Sequence, residues 1–549
     1  MKWKKKDEAN TAKDVFMRNQ NLTDVKDANK WFIKSRENAY RINGLSEAAD
    51  MIMTFKDKPV WISGDYDVDG ITSTSIMVKV LKKLGFSNVN YMIPSRSEGF
   101  GINVKMIDRV KKGSLIITVD NGVAQIEAIG KAIKKGIKVI VIDHHLPENE
   151  EGQSVQNPAD VVIDPNAIPD QADFNGYCGA GLAYKLALHL MNYNKEACYE
   201  YLALAAIGTV ADVMELTAEN YVFVRNGLKI LTCPQYLSIG LWAILSALGY
   251  TSYIDEQCVG YTIGPVLNAA SRMVDDGALS VVSLLCEDKP FENALADAEK
   301  IKELNTLRKQ LTKEAVEKAM SVISQNGYDT NVPLVVNVPD VKASLIGIVA
   351  GNIAEKFQVP TVAVTNENGI LRGSARSIGN FNVKNALDTC SELFIHYGGH
   401  AGAAGVTLEK DNFELLRITL QKTGLDYEKP CVDTIEYDLE ISSNDILNAL
   451  NSIQNYAPFG QGNAAPVFLI RDYKTVVRSG RSVSFIGAEK DSVRLNSDVA
   501  SAIGFGLKDV FKEANANASF LCDIVGTLSY NYFNGKKYPQ ITILDAKLH

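Results

Sequence analysis

No run of about 18 apolar residues occurs in the chain, so no helix is expected to span a membrane. The longest candidate, Tyr201-Leu-Ala-Leu-Ala-Ala-Ile-Gly-Thr-Val210, is too short and runs into Asp212. The basic start, Met1-Lys-Trp-Lys-Lys-Lys, has no apolar stretch behind it and does not read as a secretory signal. The eight cysteines (178, 198, 233, 258, 286, 390, 431 and 522) include no C-x-x-C pair. That spacing argues against a disulfide framework or a zinc ribbon, and the thiols are expected reduced and mostly buried in a cytoplasmic protein. Long internal repeats and low-complexity tracts are also absent. Positive charge is in deficit: Lys+Arg 57 against Asp+Glu 65 leaves −8. A histone-like protein that holds nucleic acid by bulk charge is therefore excluded. A local basic groove, or carboxylates neutralised by metal, is not.

What is present is an ordinary globular composition, 46% hydrophobic and 22% charged over 549 residues, enough for three or four domains. From Pro59 short apolar runs alternate with helical patterns. Runs at 60–63, 88–93, 115–119, 138–142 and 161–164 alternate with helices at 71–84, 104–111 and 124–135. Such apolar strands separated by helices predict a doubly wound α/β domain with a parallel sheet covered on both faces. Apolar residues at Phe291, Leu295, Ala298, Ile301, Leu304, Leu307, Leu311 and Ala315 lie on one helical face and predict a long helix over 290–326. Two helices with a break are the alternative. A second, smaller α/β unit comes next, with strands at 334–337 and 361–365 around a helix at 347–357. Beyond Pro430 the pattern turns to strands at 466–470, 520–530 and 540–544. Asn534-Gly535 is a hairpin signal, and the whole suggests an OB-like β-barrel. The expected segments are 1–54, an N-terminal extension; 55–285, the first α/β domain; 286–328, the long helix; 329–426, the second α/β domain; and 427–549, the barrel.

Acidic residues and histidines cluster at the carboxyl ends of the first domain's strands, where open α/β sheets bind ligands. Asp65, Asp67 and Asp69 come after the first strand in Gly64-Asp-Tyr-Asp-Val-Asp-Gly70. Asp120 comes after the third in Val-Asp-Asn-Gly, and Asp143-His144-His145 after the fourth. Asp212, in Gly208-Thr-Val-Ala-Asp-Val-Met214, is a candidate to join them. Carboxylates this close raise one another's pKa unless a counter-charge is supplied. Oxygen ligands with one or two imidazoles suit Mn2+ or Mg2+ better than zinc. The set is large enough for two ions sharing a carboxylate, the arrangement that serves phosphoryl transfer. Taken singly, each piece has a plain reading as a turn or a satisfied structural histidine. Their conjunction in one domain is what points to a site. Calcium in the first loop is disfavoured, because that loop lacks the twelfth-position Glu of an EF-hand.

These motifs resemble, in order, those of the DHH phosphoesterase superfamily. The second α/β unit resembles the associated DHHA1 domain through Gly373-Ser-Ala-Arg-Ser377 and Gly398-Gly-His-Ala-Gly-Ala-Ala-Gly405. More narrowly, Ile93-Pro-Ser-Arg-Ser-Glu-Gly-Phe-Gly101, Leu267-Asn-Ala-Ala-Ser-Arg-Met273, Ala457-Pro-Phe-Gly-Gln-Gly-Asn463 and the segment 526–540 resemble the RecJ family of single-stranded-DNA exonucleases. The likeness runs from about residue 55 to the end of the sequence. One departure stands out: the family's Trp-His-Pro-Gly stretch is Val341-Lys-Ala-Ser344 here, so Lys342 occupies the histidine position.

The resemblance implies 5′→3′ hydrolysis of single-stranded DNA to 5′-mononucleotides, in recombination and repair. Asp67, Asp69, Asp120, His144 and Asp212 would hold two Mn2+ or Mg2+ ions, with Asp65 a further ligand or neighbour and Asp120 the shared one. His145 would orient or neutralise the phosphate. Arg96 and Arg272 would grip phosphates, and Ser374, Arg376, Gly399 and His400 would form a pocket for the 5′ end. In the barrel, Phe459, Phe468, Tyr530 and Tyr532 are either core or stacking platforms for bases. A single-strand-binding protein and a helicase are the implied partners, and the enzyme is expected to be a monomer. A phosphodiesterase of short oligoribonucleotides or cyclic dinucleotides is the alternative, but long helix and barrel favour a polymer. A non-catalytic scaffold would be expected to lose carboxylates, and all are present.

Overall fold

The structure is a computed structural model that describes residues 1–22, 40–147, 149–150, 153–154, 156–250, 252–424, 427, 434–487, 490–533 and 536–549. The chain divides into two compact units. The first comprises residues 1–268, 278–299 and 432–549, and the second 269–277 and 300–431.

At the centre of the first unit is a five-stranded sheet, all of it parallel. Its order is Val89–Met92, Val60–Ser63, Leu115–Val119, Lys138–Ile142, Val161–Ile163. The first strand in sequence thus lies between the second and the third. Chain connections diverge on either side of the seam between Val60–Ser63 and Leu115–Val119, and a crevice opens at their carboxyl ends. Leu115–Val119 is buried along its whole length, as expected of a strand covered on both faces.

Helix Val68–Lys83 comes after the first strand and is buried from Val68 through Val78 without interruption. Three of its four hydroxyls bond back to the helix's own carbonyls. Thr72 Oγ1 donates to Val68 O at 2.8 Å, Ser73 Oγ to Gly70 O at 3.1 Å and Ser75 Oγ to Ile71 O at 2.7 Å. Helices Gly179–Leu190 and Tyr199–Ala211 pack against it. The long apolar candidate is therefore a core helix, and no described helix is long and apolar enough to cross a membrane.

The same unit holds a seven-stranded sheet over 439–548, with a core built around Phe468, Ile470, Tyr473, Ile524 and Ile541. Its longest hairpin pairs Leu521–Phe533 with Lys536–Leu548; Asn534-Gly535 lies outside the described residues. Phe468 is buried in this core and is not a stacking platform. Tyr532 stacks on Tyr253 at 3.6 Å, so that ring face is already occupied. The N-terminal segment belongs here as well. Lys2–Lys5 pairs in parallel with Thr434–Tyr437, and Ala12 and Val15 enter the same core.

In the second unit a mixed sheet runs in the order Phe394–Gly399, Ala403–Glu409, Ile370–Arg376, Thr361–Glu367, Leu334–Asn337. Helix Ala343–Phe357 connects the parallel pair Leu334–Asn337 and Thr361–Glu367. The long helix, Phe291–Asn326, is unbroken. Among the described residues seven cysteines are free, and five of them are buried.

Candidate metal centre

The acidic loop after Val60–Ser63 folds into the start of the next helix. Asp67 caps that helix: its Oδ1 accepts from the N–H groups of Asp69 at 3.0 Å and Gly70 at 3.1 Å. Asp65 is fully buried; its Oδ1 accepts from Gly101 N–H at 3.1 Å, while Oδ2 has no hydrogen-bond partner. Asp69, also buried, is held by the start of helix Gly179–Leu190. Gly179 N–H reaches Oδ2 at 2.6 Å and Ala180 N–H reaches Oδ1 at 2.9 Å. These are orphan donors of a helix N-terminus, which favour negative charge.

Asp120 sits just past the third strand at φ +59°, with its N–H bonded to Ile142 O at 3.0 Å. Asn121 closes the seam beside it. Its Nδ2 donates to Ser63 O at 3.0 Å and Val119 O at 2.8 Å, and its Oδ1 accepts from Ile102 N–H at 3.0 Å. Asp212 caps the end of helix Tyr199–Ala211.

The carboxylates converge on one imidazole. His144 Nε2 lies 3.1 Å from Asp120 Oδ1, 3.7 Å from Asp212 Oδ2 and 3.8 Å from Asp69 Oδ2. His145 is turned the other way: its Nδ1 bonds Asp143 Oδ1 at 2.8 Å. Asp143 is the anchor of this segment, with both carboxylate oxygens bonded. It also accepts from the N–H groups of His144 at 2.8 Å, His145 at 3.2 Å and Val123 at 2.9 Å.

Electrostatics separate these groups. Burial, then repulsion from Asp69, Asp67 and Asp212, pushes the Asp120 carboxyl well above its usual range. Burial and the same neighbours Asp69 and Asp67 push Asp212 up to about 8. Asp65 is raised by burial and by Asp67. Burial lowers His144, keeping its imidazole neutral and able to act as a ligand. Burial opposes charge on His145 too, but the bond and the charge of Asp143 outweigh it and carry the pKa up to about 9. The fold thus supplies one neutral imidazole, one imidazolium and four or five carboxylates short of a counter-charge.

This donor set fits divalent metal. Two groups, Asp69–His144–Asp212 and Asp120–His144–His145, place ligand atoms within 4.8 Å of one another. The orphaned Oδ2 of Asp65 adds a buried oxygen without a partner. His145 is the poorer ligand of the second group: against the opposing effect of burial, its bond to Asp143 raises its pKa to about 9 and keeps Nε2 protonated.

The remaining candidates lie outside this cluster of ligand atoms. The Arg96 guanidinium lies 4.1 Å from the Tyr66 ring centroid, and Asp65 and Asp67 contribute to its field. In the second unit, Arg376 Nη1 donates to Ser374 Oγ at 2.6 Å and to Ala375 O at 2.8 Å. Arg272 Nη1 donates to Ser344 O at 2.8 Å, and Lys342 Nζ to Met273 O at 2.6 Å. Gly399, at φ +145°, and His400 form the turn between Phe394–Gly399 and Ala403–Glu409, with His400 N–H on Ala403 O at 2.8 Å. The residues missed in the sequence are Asn121, Gly179 and Ala180, and Asp143 reads there as one of the acidic groups at the rim and not as the anchor of both histidines. The Cys178-Gly-Ala-Gly181 helix start was the one local signal for Gly179 and Ala180.

A parallel sheet that presents Asp-rich loops and a His pair at one rim is the arrangement of a DHH phosphoesterase. Residues 59–209 match the DHH family, N-terminal domain; 331–423 match the DHHA1 domain; and 437–545 match the RecJ OB domain. The chain is 33% identical to the single-stranded-DNA-specific exonuclease RecJ of Bacillus subtilis over 521 residues, 92% of this chain and 64% of that protein. It is 31% identical to the RecJ of Dickeya dadantii over 78% of each chain. The crystal structure of Thermus thermophilus RecJ in complex with Mn2+ superposes with a TM-score of 0.74 at 26% identity, covering 92% of this chain and 72% of that one. The chain belongs to the RecJ family.

Proposed function

We propose that this chain is a metal-dependent exonuclease that hydrolyses single-stranded DNA from the 5′ end to 5′-mononucleotides, in DNA recombination and repair. The observation that carries the reading is the convergence of Asp69, Asp120 and Asp212 on His144 Nε2. Asp65, Asp67, Asp69, Asp120, His144 and Asp212 are the residues that would hold two Mn2+ or Mg2+ ions. When bound, such ions acidify a coordinated water and offset charge on the phosphate.

The chain's own groups do the rest. Helix Gly179–Leu190 and the Asp143 anchor fix the ligands before substrate arrives, so little reorganisation is left for the reaction. His145, with Nδ1 committed to Asp143, keeps Nε2–H as a cationic donor to the phosphate. Arg96 and Arg272 grip phosphates along the strand. Ser374, Arg376, Gly399 and His400 recognise the 5′ end, with the guanidinium as the anion contact. The working context is cytoplasmic, as a monomer alongside a single-strand-binding protein and a helicase.

The test uses 5′- and 3′-labelled single strands with Mn2+, Mg2+ or chelator. Mononucleotide release from the 5′ label, lost in chelator, is the expected result. Hydrolysis confined to di- or trinucleotides would favour the short-substrate phosphodiesterase instead.

Metal affinity should depend on pH in a definite direction. Asp212 titrates near 8 in the metal-free fold, against 3.8 for a free carboxyl. At pH 7 it therefore holds a proton that an ion must displace. Mn2+ affinity is expected to climb steadily from pH 6 to about 8. Calorimetry at pH 7 in buffers of different ionisation enthalpy will register proton release. A flat affinity without release would mean the carboxyls were already ionised.

A further inference from the structure

Ala457-Pro-Phe-Gly-Gln-Gly-Asn463 takes no part in the carboxylate cluster, yet it lies against the chain that leaves Asp212. Helix Tyr199–Ala211 ends in a Schellman-type turn. Met214 N–H reaches Thr209 O at 3.1 Å, and Val213 N–H reaches Val210 O at 3.2 Å. The left-handed position of that turn, usually glycine, is Val213 at φ +55°. A β-branched residue is poorly suited to it. The residue is 71% exposed, so packing of Val213 itself does not hold the turn.

The hold comes three residues on. Leu216 is clamped at both backbone groups: its N–H donates to Gln461 O at 2.7 Å, and its carbonyl accepts from Gln20 Nε2 at 2.9 Å. Gly462, at φ +73°, is seated so close that a Cβ there would stand 3.0 Å from Glu215 Cβ. The loop is itself braced by Asn463, which is fully buried. Asn463 Nδ2 donates to Pro458 O at 2.7 Å and Tyr456 O at 3.2 Å, and Asn463 Oδ1 accepts from Asn19 Nδ2 at 3.3 Å. Phe16 packs between Tyr221 and Tyr456, with centroids 5.4 and 5.1 Å away.

We propose that the 457–463 loop, seated by Asn19 and acting with Gln20 on the two backbone groups of Leu216, is a positioning element that fixes Asp212 for metal. It holds a strained turn whose next residue back is the ligand. The polar groups of Asn463 are consumed in bracing the loop, which leaves that side chain nothing to offer a DNA strand. The inference rests on the reading of Asp212 as a metal ligand.

Asn463→Ala and Gln20→Ala in the full chain test it. Mn2+ is titrated by electron paramagnetic resonance, oligonucleotide affinity is measured by anisotropy in chelator, and melting confirms folding. Loss of a bracing partner behind a ligand typically weakens metal binding about tenfold or more. The expectation is about a tenfold weaker affinity for one of the two Mn2+ ions in Asn463→Ala, and a smaller shift the same way in Gln20→Ala. DNA affinity in chelator should stay within twofold. If Asn463→Ala does not fold, Gln20→Ala decides. Folded variants with unchanged Mn2+ binding, or with DNA affinity lost and Mn2+ binding intact, would overturn the proposal. Wild-type protein that takes up no Mn2+ would instead overturn the metal reading beneath it.

Discussion

Asp120→Asn is expected to lower nuclease activity by at least about 10³-fold, corresponding to several kcal/mol of lost transition-state stabilisation. The fold should survive. Asp120 occupies φ +59°, a left-handed conformation that Asp and Asn tolerate better than other side chains. Asn keeps that backbone and the shape of the side chain while removing the charge. Ala would remove the charge and add strain, confounding the two. In the metal-free protein, burial and the neighbours Asp69, Asp67 and Asp212 make a carboxylate at this position unfavourable. Replacing it by a neutral amide therefore relieves the fold. Melting in chelator should occur at the wild-type temperature or above it. Added Mn2+ should raise the melting temperature of wild type more than that of the variant, because only binding to the native state stabilises it. Activity within tenfold of wild type, or earlier melting in chelator, would remove Asp120 from the centre of the site.

The carboxylates themselves were legible in the sequence for a physical reason. A buried parallel strand is a short apolar run, and residues just past its carboxyl end in a doubly wound sheet face the crevice. Asp65, Asp67, Asp69, Asp120 and His144 all sit within a few residues of the end of such a run. Asp212 comes after a helix, so it was placed by motif and not by this rule. How these groups are held could not be read. Gly179 donates its N–H to a carboxylate 110 residues away in sequence, and no periodicity records that. Asp143 appeared as part of a His pair, whereas its oxygens anchor both histidines and Val123. Asn121 looked like a turn residue and proves to lock the seam between two strands. The first 22 residues carried no usable pattern. A four-residue strand has too little periodicity to detect, and its partner, Thr434–Tyr437, comes from the far end of the chain. In the barrel, aromatic residues at strand positions fit core and base stacking equally well, and only burial separates Phe468 from a binding surface.

Gly179→Ala, a change of one methyl group, is expected to cost activity about 100-fold. A Cβ at Gly179 would stand 2.6 Å from Asp120 Cβ, 2.9 Å from Asp120 Cα and 2.9 Å from Asp69 Oδ2. Neither neighbour can yield cheaply. The Asp120 backbone is pinned by its bond to Ile142 O, and Asp69 is held by the same helix start that the methyl would push away. The strain must therefore appear as displacement of two ligands at once, and Mn2+ affinity should fall about 10- to 100-fold with it. Gly181→Ala is the matched control on the same helix. There the nearest atom to a new Cβ is Tyr177 Cδ1 at 3.5 Å, an ordinary contact. Replacing a helical glycine by alanine stabilises by about 1 kcal/mol where space permits. Gly181→Ala should thus melt at or above the wild-type temperature and keep wild-type activity and Mn2+ affinity. Equal losses in both variants would point to general damage to the helix. Full activity in Gly179→Ala would mean that the close approach of helix and carboxylates is dispensable, and that Asp69 is oriented by something other than the two N–H groups.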